Sequence, residues 1–367
     1  MKKVLMVCNT PYQVIIATWL KITCYSGDEV DIIISDHMVE GDKIATNMEK
    51  TGVFSSVFYV KTKKLNRNVS NVVLLFLQSF MFNIIPKLLL SFYFDLNKQY
   101  DVLCVANLTF FAKLLFQVSV NFNRNKEMKF FLFEDGISTY SKTCEKNYHV
   151  CKKGYTDKLL SRKAIYNHLE GIYAFEPDAF LWEPNAPIIP IRKINCKYMH
   201  FIDMINIIFD YENIQDLYDR KYIFMEESYY GDGYEIDDVQ ILEQIAKLVG
   251  KNNIIVKNHP RNPENRFAKL GYKTNDNCSV PWEVILMNQQ MQDKILLTMA
   301  SASIISSIRL FDEEIQAFSF YPCLKIRPSI LEGDLWNAIE SFYKKYTPSV
   351  MVCTDIQSFK DKLNDLE

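Results

Sequence analysis

The sequence predicts an α/β protein built from two doubly wound, Rossmann-like domains that face a central cleft. The chain has 367 residues, more than a single core of ordinary size accommodates. Short β-branched runs alternate with longer helical segments in both halves, as in parallel sheets covered by helices. A proline-rich stretch over residues 175–200 separates the halves. We therefore expect an N-terminal domain over residues 1–190 and a C-terminal domain over residues 191–367.

The composition is that of a folded chain. Apolar residues make up 49% and charged residues 23%, which excludes a disordered protein. The formal net charge of -2 gives no overall field that favours nucleic acid, so no nucleic-acid partner is expected. The nine cysteines are odd in number and include no Cys-x-x-Cys pair. This argues against a disulfide framework and a zinc site, and it favours the cytoplasm.

The elements follow from apolar periodicity. The first apolar run, residues 4–8, is too short for a signal peptide and is interpreted as a buried strand. Strands are predicted in the first half at residues 3–8, 30–35, 57–60, 102–106 and 129–134, and in the second half at 222–225, 253–257, 295–299 and 315–320. Helices are predicted at residues 12–23, 109–120 and 237–249, the last ending at Gly250.

Residues 72–94 form the longest apolar stretch. A spanning helix needs about 20 predominantly apolar residues, but Gln78, Asn83 and Lys87 interrupt this one. The pattern predicts two helices bent at Pro86. They could pack in the core, exchange between the subunits of a homodimer, or contact the inner face of the cell membrane peripherally.

Polar residues follow one strand of the first half. Ligands of doubly wound sheets bind at the carboxyl ends of strands, and Glu134, Asp135 and Gly136 occupy such an end. A carboxylate there could act as a general base. Neighbouring side chains of a strand point to opposite faces, so one of the two acids is expected to reach a substrate. Alternatively, the acids only cap the following helix.

A histidine follows a strand of the second half. His259 could donate a hydrogen bond to a phosphate, or a proton to a leaving group. Lys257 and Arg261 add positive potential, and Pro260 stiffens the turn. Alternatively, the histidine is structural.

Two further motifs lie near strand ends in this half. Glu283, in the first turn of a helix that begins near Pro281, could hold ribose hydroxyls or only interact with the helix dipole. Ser301 and Ser303, among small residues at a helix start, could bind a phosphate or only cap the helix.

Together these motifs resemble those of bacterial sialyltransferases of the two-Rossmann, GT-B-like class. That class shares an Asp/Glu-Asp/Glu-Gly motif, a His-Pro motif and a serine-rich phosphate motif. Residues 8–13, Cys-Asn-Thr-Pro-Tyr-Gln, resemble the N-terminus of glycosyltransferase family 52, which contains lipooligosaccharide and capsule sialyltransferases. Ala302 stands where the class has its second serine.

The resemblance implies an inverting, metal-independent transfer from CMP-sialic acid to a terminal galactose-type hydroxyl of a bacterial surface glycan. Asp135, with Glu134, would be the base, and His259 would meet the CMP phosphate; an acid near Asp232 is an alternative base. The other implied donor contacts are Lys257, Pro260, Arg261, Glu283, Ser301 and Ser303, and the implied acceptor contacts are Asn9, Thr10, Gln13 and Gly136. The donor substrate would be the only small molecule required, with no separate cofactor. No Asp-x-Asp metal motif occurs in the sequence.

Other functions stay open on the same scaffold. A hexosyltransferase would use a nucleoside diphosphate sugar, and a polyol-phosphate transferase would use a CDP-linked donor. A glycan-binding module without catalysis would bind an oligosaccharide and turn nothing over.

Overall fold

The computed structural model describes residues 1–66, 72–150, 163–212, 218–275, 280–311, 315–325, 331 and 333–366. The chain divides into two compact units. Unit 1 comprises Met1–Arg192 and Asp203–Asp210, and unit 2 comprises Lys193–Ile202 and Tyr211–Glu367. Each unit contains one parallel sheet with helices, so the predicted α/β class with two Rossmann-like domains is confirmed.

Unit 1 contains a seven-stranded parallel sheet in the order β3-β2-β1-β4-β5-β6-β7. Its strands are β1 (Lys3–Cys8), β2 (Glu29–Ser35), β3 (Ser56–Val60), β4 (Val102–Val105), β5 (Lys129–Phe133), β6 (Leu169–Ala174) and β7 (Ile188–Pro190). The central strands are almost continuously apolar and buried, because helices cover both faces of a doubly wound sheet.

Threonine side chains cap the start of two helices of unit 1. Thr10 accepts a hydrogen bond from the backbone N–H of Gln13 at the start of the first helix, and Thr109 does the same for Ala112. The α-helices are α1 (Pro11–Thr23), α2 (Gly41–Thr51), α3 (Val72–Ile84), α4 (Pro86–Ser91), α5 (Phe110–Phe116), α6 (Lys142–His149) and α7 (Met199–Ile208), and the division between the units falls within α7.

Unit 2 contains a six-stranded parallel sheet in the order β10-β9-β8-β11-β12-β13. Its strands are β8 (Tyr222–Met225), β9 (Ile254–Lys257), β10 (Lys273–Asn275), β11 (Ile295–Thr298), β12 (Gln316–Ser319) and β13 (Val350–Val352). Its α-helices are α8 (Asp238–Val249), α9 (Arg266–Lys269), α10 (Trp282–Asn288), α11 (Ser303–Leu310), α12 (Asp334–Lys345) and α13 (Ile356–Asn364).

The strand order creates one switch point in each sheet. In unit 1 the order reverses between β1 and β4, and in unit 2 it reverses between β8 and β11. The register pairs Met225 with both Lys257 and Thr298, so the carboxyl ends of β8, β9 and β11 lie in one row. Ligands of doubly wound sheets bind at such edges, so these two places position the candidate functional residues.

The apolar stretch over residues 72–94 forms two helices, α3 and α4, that meet at Pro86, as the sequence predicts. Proline is the first residue of α4, where its missing N–H would have had no helical partner in any case. Among the helices that the structure describes, none is both long and apolar enough to cross a bilayer.

Candidate active site

The first cluster of polar residues lies at the switch point of unit 1. It contains Asn9 after β1, Gln13 in α1, Asn107 after β4, and Glu134 and Asp135 after β5; we call it the acid cluster. Helix α1 begins immediately after β1, because Thr10 caps it and Pro11 occupies its first turn. This short connection turns the side chain of Gln13 towards the end of β5, where it reaches Asp135.

Two amides hold the carboxylate of Asp135. Gln13 Nε2 donates to Oδ1 at 2.5 Å, and Asn107 Nδ2 donates to Oδ2 at 3.2 Å. Asn9 braces both donors: its backbone N–H donates to Gln13 Oε1 at 2.6 Å, and its Nδ2 donates to Asn107 Oδ1 at 3.0 Å. The carboxylate is therefore fixed in orientation by neutral groups.

Burial raises the pKa of Asp135 above its ordinary value, while the hydrogen bonds from Gln13 and Asn107 oppose the shift. The side chain stays partly exposed. A carboxylate with a raised pKa and an open side is a stronger proton acceptor than one in water, which is the property a general base needs.

Glu134 is enclosed. Its side chain is fully buried, and Tyr12 Oη donates to Oε1 at 2.5 Å. Tyr140 Oη and the backbone N–H of Phe175, at 3.0 Å, donate to Oε2. The two neighbouring carboxylates therefore differ in exposure, as the alternation of side chains along a strand predicts. Glu134 ties α1 to the ends of β5 and β6, and Asp135 faces outward.

The turn after Asp135 is built around a left-handed residue. Gly136 has φ +65°, a conformation that glycine adopts without strain. The Asp135 side chain makes no capping bond to the helical turn that follows. The alternative interpretation, in which Asp135 only caps a helix, is therefore wrong. Of the predicted acceptor contacts, Thr10 and Gly136 are partly exposed, whereas Asn9 and Gln13 are buried and engaged within the acid cluster.

The second cluster lies at the carboxyl ends of β8, β9 and β11 in unit 2. We call it the anion cluster: Glu226, Glu227, Lys257, His259, Thr298, Ser301 and Ser303. The backbone N–H of His259 donates to Glu226 Oε2 at 3.0 Å, and the backbone N–H of Arg261 donates to His259 Nδ1 at 3.2 Å. Because Nδ1 accepts, the ring proton of a neutral His259 is assigned to Nε2.

Burial, followed by the positive charges of Arg261 and Lys257, lowers the pKa of His259 to about 4. The imidazole is therefore neutral near pH 7 and carries one donor, Nε2–H. A neutral donor next to two cations suits an anionic ligand such as a phosphate.

Two acids after β8 support this cluster, and the sequence did not single out either of them. Glu226 accepts from Arg266 Nη2 at 3.1 Å, and the same guanidinium binds Asp238 at 2.7 Å. Glu227 accepts from Thr298 Oγ1 at 2.5 Å and from the backbone N–H of Ala300 at 3.2 Å. Their position, as two adjacent acids directly after a buried strand, was the sequence signal that could have identified them.

Hydrogen bonds shape residues 298–303, which we call the serine turn. The backbone N–H of Ser301 donates to Thr298 Oγ1 at 2.9 Å, and the backbone N–H of Ser303 donates to Ser301 Oγ at 3.1 Å. Helix α11 starts at Ser303 with Ala302 at its N-cap and no side-chain cap, so the serines do not cap it in the usual way. Because the Ser301 oxygen is the acceptor of this bond, its O–H group can still donate a hydrogen bond to another group.

Burial of Glu227 raises its pKa from an ordinary 4.5 to about 7, against the hydrogen bonds from Thr298 and Ala300. The neighbouring acids Asp238 and Glu226 add to the rise. This buried carboxyl therefore changes its protonation near neutral pH while it holds the serine turn.

Glu283 lies in the first turn of α10 and is partly exposed. Burial raises its pKa, and the positive charges of Arg309 and Lys257, with the hydroxyl of Ser306, oppose that shift. The same cation, Lys257, thus acts on both Glu283 and His259. The structure brings these three predicted donor residues into one electrostatic neighbourhood.

Arg261 and Pro260 are exposed at the rim of the anion cluster. Arg261 forms an ion pair with Asp232 at 3.1 Å and donates to Ser228 Oγ at 2.8 Å. Asp232, the alternative base, is therefore engaged with a guanidinium in unit 2. The prediction that Asp135 and His259 face one cleft stays a prediction.

The described part of the chain holds no group of three His, Cys, Asp or Glu side chains arranged as a metal site would require. The polar residues at both switch points instead form hydrogen-bond networks around one carboxylate, Asp135, and one imidazole, His259.

Two parallel α/β units with polar clusters at their strand ends are the architecture of the GT-B fold. The sequence model of one family, described as alpha-2,8-polysialyltransferase (POLYST), matches residues 4–316. The chain therefore belongs to the alpha-2,8-polysialyltransferase family, and the predicted resemblance to sialyltransferases is confirmed. No curated protein matches the chain in a sequence search.

Solved structures agree on the fold. An α/β-galactoside α-2,3-sialyltransferase from Photobacterium phosphoreum superposes with a TM-score of 0.51 at 11% identity, over 96% of this chain and 98% of that one. The glycotransferase of kitacinnamycin has a TM-score of 0.51 at 9% identity, over 100% of this chain and 90% of that one. A UDP-N-acetylglucosamine 2-epimerase reaches 0.50 at 12% identity, over 100% and 87%. At these identities the likeness concerns the fold alone.

Proposed function

We propose that the protein transfers sialic acid from CMP-sialic acid to a glycan hydroxyl, with inversion at the anomeric carbon and without a metal ion. Membership of the alpha-2,8-polysialyltransferase family supports the class of reaction. The observation that carries the mechanism is the state of Asp135: partly exposed, raised in pKa by burial, and oriented by Gln13 and Asn107.

The proposed reaction is a single displacement. Asp135 takes the proton of the acceptor hydroxyl as that oxygen bonds to the anomeric carbon of sialic acid. The bond from the anomeric carbon to the phosphate oxygen breaks at the same time, and its electron pair leaves with CMP. Because the acceptor attacks opposite the leaving group, the configuration inverts.

We assign the binding of CMP, the leaving group, to residues of unit 2. The Nε2–H of a neutral His259 and the hydroxyl of Ser301 donate hydrogen bonds to the phosphate oxygens. Lys257 and Arg261 add positive potential, and Glu283 accepts from the ribose hydroxyls. A monophosphate gains modest charge as it leaves, so these groups suffice without a metal.

Chelation by EDTA should leave the rate unchanged. Loss of activity that Mn²⁺ restores would contradict this part of the proposal.

The acceptor is a hydroxyl that Asp135 can deprotonate. The family description names α-2,8 linkage, so we infer that the acceptor is a terminal sialic acid with a free 8-hydroxyl. The terminal galactose predicted from the sequence is the second candidate. Incubation with CMP-sialic acid and a panel of sialosides and galactosides, followed by mass spectrometry and linkage analysis, distinguishes them. No transfer to any member of the panel, with or without added metal, would count against the proposed function.

The donor is tested by binding. CMP should raise the melting temperature of the protein, whereas UDP should not, because the proposed site fits a single phosphate. Stabilisation by UDP alone would favour a hexosyltransferase. Transfer of a polyol phosphate from a CDP-linked donor would favour the polyol-phosphate alternative.

The role of His259 is tested with two variants. His259→Ala removes the donor, whereas His259→Gln keeps an N–H near the position of Nε2. If His259 acts as a neutral hydrogen-bond donor, the alanine variant should lose about 10²- to 10³-fold in kcat and the glutamine variant should recover much of it. Equal loss in both variants would instead mean that His259 transfers a proton.

A further inference from the structure

A tyrosine of helix α12 contacts the serine turn from its buried side. Tyr343 Oη donates to the backbone carbonyl of Ser301 at 3.1 Å. The side chain of Tyr343 is 1% exposed, so this bond lies inside unit 2 and is shielded from water. Tyr343 lies beyond residue 316, where the match to the family model ends, so family membership assigns it no role.

Aromatic neighbours hold the ring of Tyr343 in place. Its centroid lies 6.1 Å from that of Trp336, with the two rings at 85°, and 6.5 Å from that of Tyr321. Tyr321 is in turn bonded through its hydroxyl to Glu340 Oε1 at 3.0 Å. Burial, followed by the negative charge of Glu227, raises the pKa of Tyr343 well above its ordinary value. The hydroxyl therefore keeps its proton and acts as a fixed donor.

Other side chains hold the backbone of the serine turn next to this bond. The backbone N–H of Ser301 donates to Thr298 Oγ1 at 2.9 Å, and the carbonyl of Met299 accepts from Ser319 Oγ at 2.9 Å. The bond from Tyr343 adds the carbonyl of Ser301 to these fixed groups. Both peptide groups that flank Ser301 are thus held, so the direction of its side chain is held as well.

The bond from Tyr343 also sets the direction of the next backbone N–H. The peptide between Ser301 and Ala302 is trans, and the C=O and N–H groups of a planar trans peptide point in opposite directions. Because the carbonyl of Ser301 points to the buried phenol, the N–H of Ala302 points away from it. Ala302 is the N-cap of α11, and Ala302 and Ser303 are partly exposed. The side of the turn opposite the phenol is therefore open to a ligand.

We propose that Tyr343 is a positioning residue for the donor phosphate, because it orients this peptide so that the N–H of Ala302 donates to a phosphate oxygen. This role rests on the proposed binding of CMP by unit 2. The N–H acts beside the hydroxyl of Ser301 and the Nε2–H of His259, at a helix start, where backbone N–H groups favour phosphate. It also gives a function to Ala302, which stands where the resembling class has its second serine, since a backbone N–H needs no side-chain hydroxyl.

Titration calorimetry of the full chain with CMP and with cytidine tests the role of the phenol. Tyr343→Phe removes the hydroxyl and keeps the ring. The variant should bind CMP about tenfold more weakly, because the N–H is no longer held towards the phosphate. Cytidine has no phosphate and should bind the parent protein and the variant equally. Unchanged CMP affinity in the variant, or an equal loss for CMP and cytidine, would overturn the proposal.

A second variant removes the N–H itself. Proline fits the backbone at residue 302, because Ala302 has a φ of -68°. Ala302→Pro should also bind CMP about tenfold more weakly. The double variant with Tyr343→Phe should bind CMP no more weakly than Ala302→Pro alone, because both changes act through one hydrogen bond. Losses that multiply in the double variant would mean that Tyr343 does not act through this N–H.

Tyr148→Phe is the matched control. Tyr148 is also 1% exposed, lies in unit 1, and donates through its hydroxyl to the backbone carbonyl of Tyr166 at 2.8 Å. Its loss should lower the melting temperature about as far as Tyr343→Phe does and leave the CMP affinity unchanged. If Tyr148→Phe weakened CMP binding as much, general destabilisation would explain both results and the proposal would be wrong. Absence of CMP binding by the parent protein would reject the proposed function, and the role of Tyr343 with it.

Discussion

The acid cluster and the anion cluster occupy equivalent places in two sheets of the same kind, yet they are built from groups of different charge. Neutral amides hold Asp135, so burial dominates and raises the pKa of that carboxyl. Two cations, Arg261 and Lys257, lie near His259, so burial and charge act together and lower the pKa of that imidazole to about 4. The fold supplies the position of each group, and its neighbours decide whether it takes up a proton or donates a hydrogen bond.

The comparison also separates catalysis from support within each cluster. In the acid cluster, Glu134 is enclosed by three donors while its neighbour Asp135 faces outward. In the anion cluster, Glu226 and Glu227 hold the loops that carry His259 and Ser301. Each switch point thus contains one or two inner carboxylates that fix the backbone, next to an outer group that is available to a ligand.

The largest effect is expected when Asp135, the outer acid of the acid cluster, is replaced by asparagine. Asp135→Asn should lower kcat by about 10²- to 10⁴-fold, because the general base is lost while the side chain keeps its shape. The melting temperature of the variant should fall less than that of Glu134→Gln, because Asp135 is partly exposed and the amide loses only one of its two donors. The measurement is initial rate with CMP-sialic acid and the best acceptor of the panel.

Glu134→Gln is the matched control. An amide cannot accept from Tyr12, Tyr140 and Phe175 in the way a carboxylate does, so a buried donor loses its partner. The expected cost is about 1–3 kcal/mol of folding free energy. If Glu134→Gln reduced the rate as far as Asp135→Asn without lowering the melting temperature, the distinction between inner and outer acid would be wrong.

The strands with strong apolar runs could be predicted from the sequence, whereas four others, three of them only three residues long, could not. Strands β1, β5 and β8 coincide with uninterrupted apolar runs, β2 coincides with a run that only Asp31 interrupts, and the prediction found all four. The pattern missed Leu169–Ala174 and the three-residue strands Ile188–Pro190, Lys273–Asn275 and Val350–Val352. A three-residue strand has too few residues for a period, and Ile188–Pro190 is an edge strand, where proline is tolerated.

The site residues divide in the same way. Asp135 and His259 stand out because each lies two residues after the end of a strand, and the resemblance to a family gave them roles. The partners of Asp135 were not predicted: Gln13 was expected only as an acceptor contact and Asn107 was not singled out, and they lie 122 and 28 residues from Asp135. Which side chains meet depends on strand order, and apolar periodicity does not encode that order.

A smaller effect is expected where the two loops of the anion cluster touch. A Cβ on Gly231 would lie 2.4 Å from the backbone oxygen of Arg261 and 2.8 Å from Asn262 Oδ1. Gly231→Ala should therefore displace the loop that carries His259, lowering kcat/KM for the donor about tenfold. Its fold should lose about 1–3 kcal/mol.

Gly27→Ala serves as the control, since a Cβ there meets nothing within 4 Å. It should leave both the rate and the stability near those of the parent protein. Equal kinetics for the two alanine variants would show that the contact between the loops does not position His259.

The smallest effect concerns Glu227, one of the two inner acids of the anion cluster, and appears only as a pH dependence. The folded-state pKa of Glu227 is about 7, above its ordinary 4.5, so the native state binds the extra proton between these values. The stabilisation is present below pH 4.5 and is lost as pH rises through 7. Between pH 5 and pH 8 the parent protein should lose up to about 3 kcal/mol that Glu227→Gln retains, because the amide cannot ionise. The low pKa of His259 produces an opposite slope below pH 6.5, but it is common to both proteins and cancels in their difference. Urea midpoints at several pH values measure that difference, and a variant of an exposed acid, Glu49→Gln, is the control. Parallel curves for the parent protein and Glu227→Gln would mean that the carboxyl that holds the serine turn has an ordinary pKa. The contrast between the clusters would then rest on His259 and Asp135 alone.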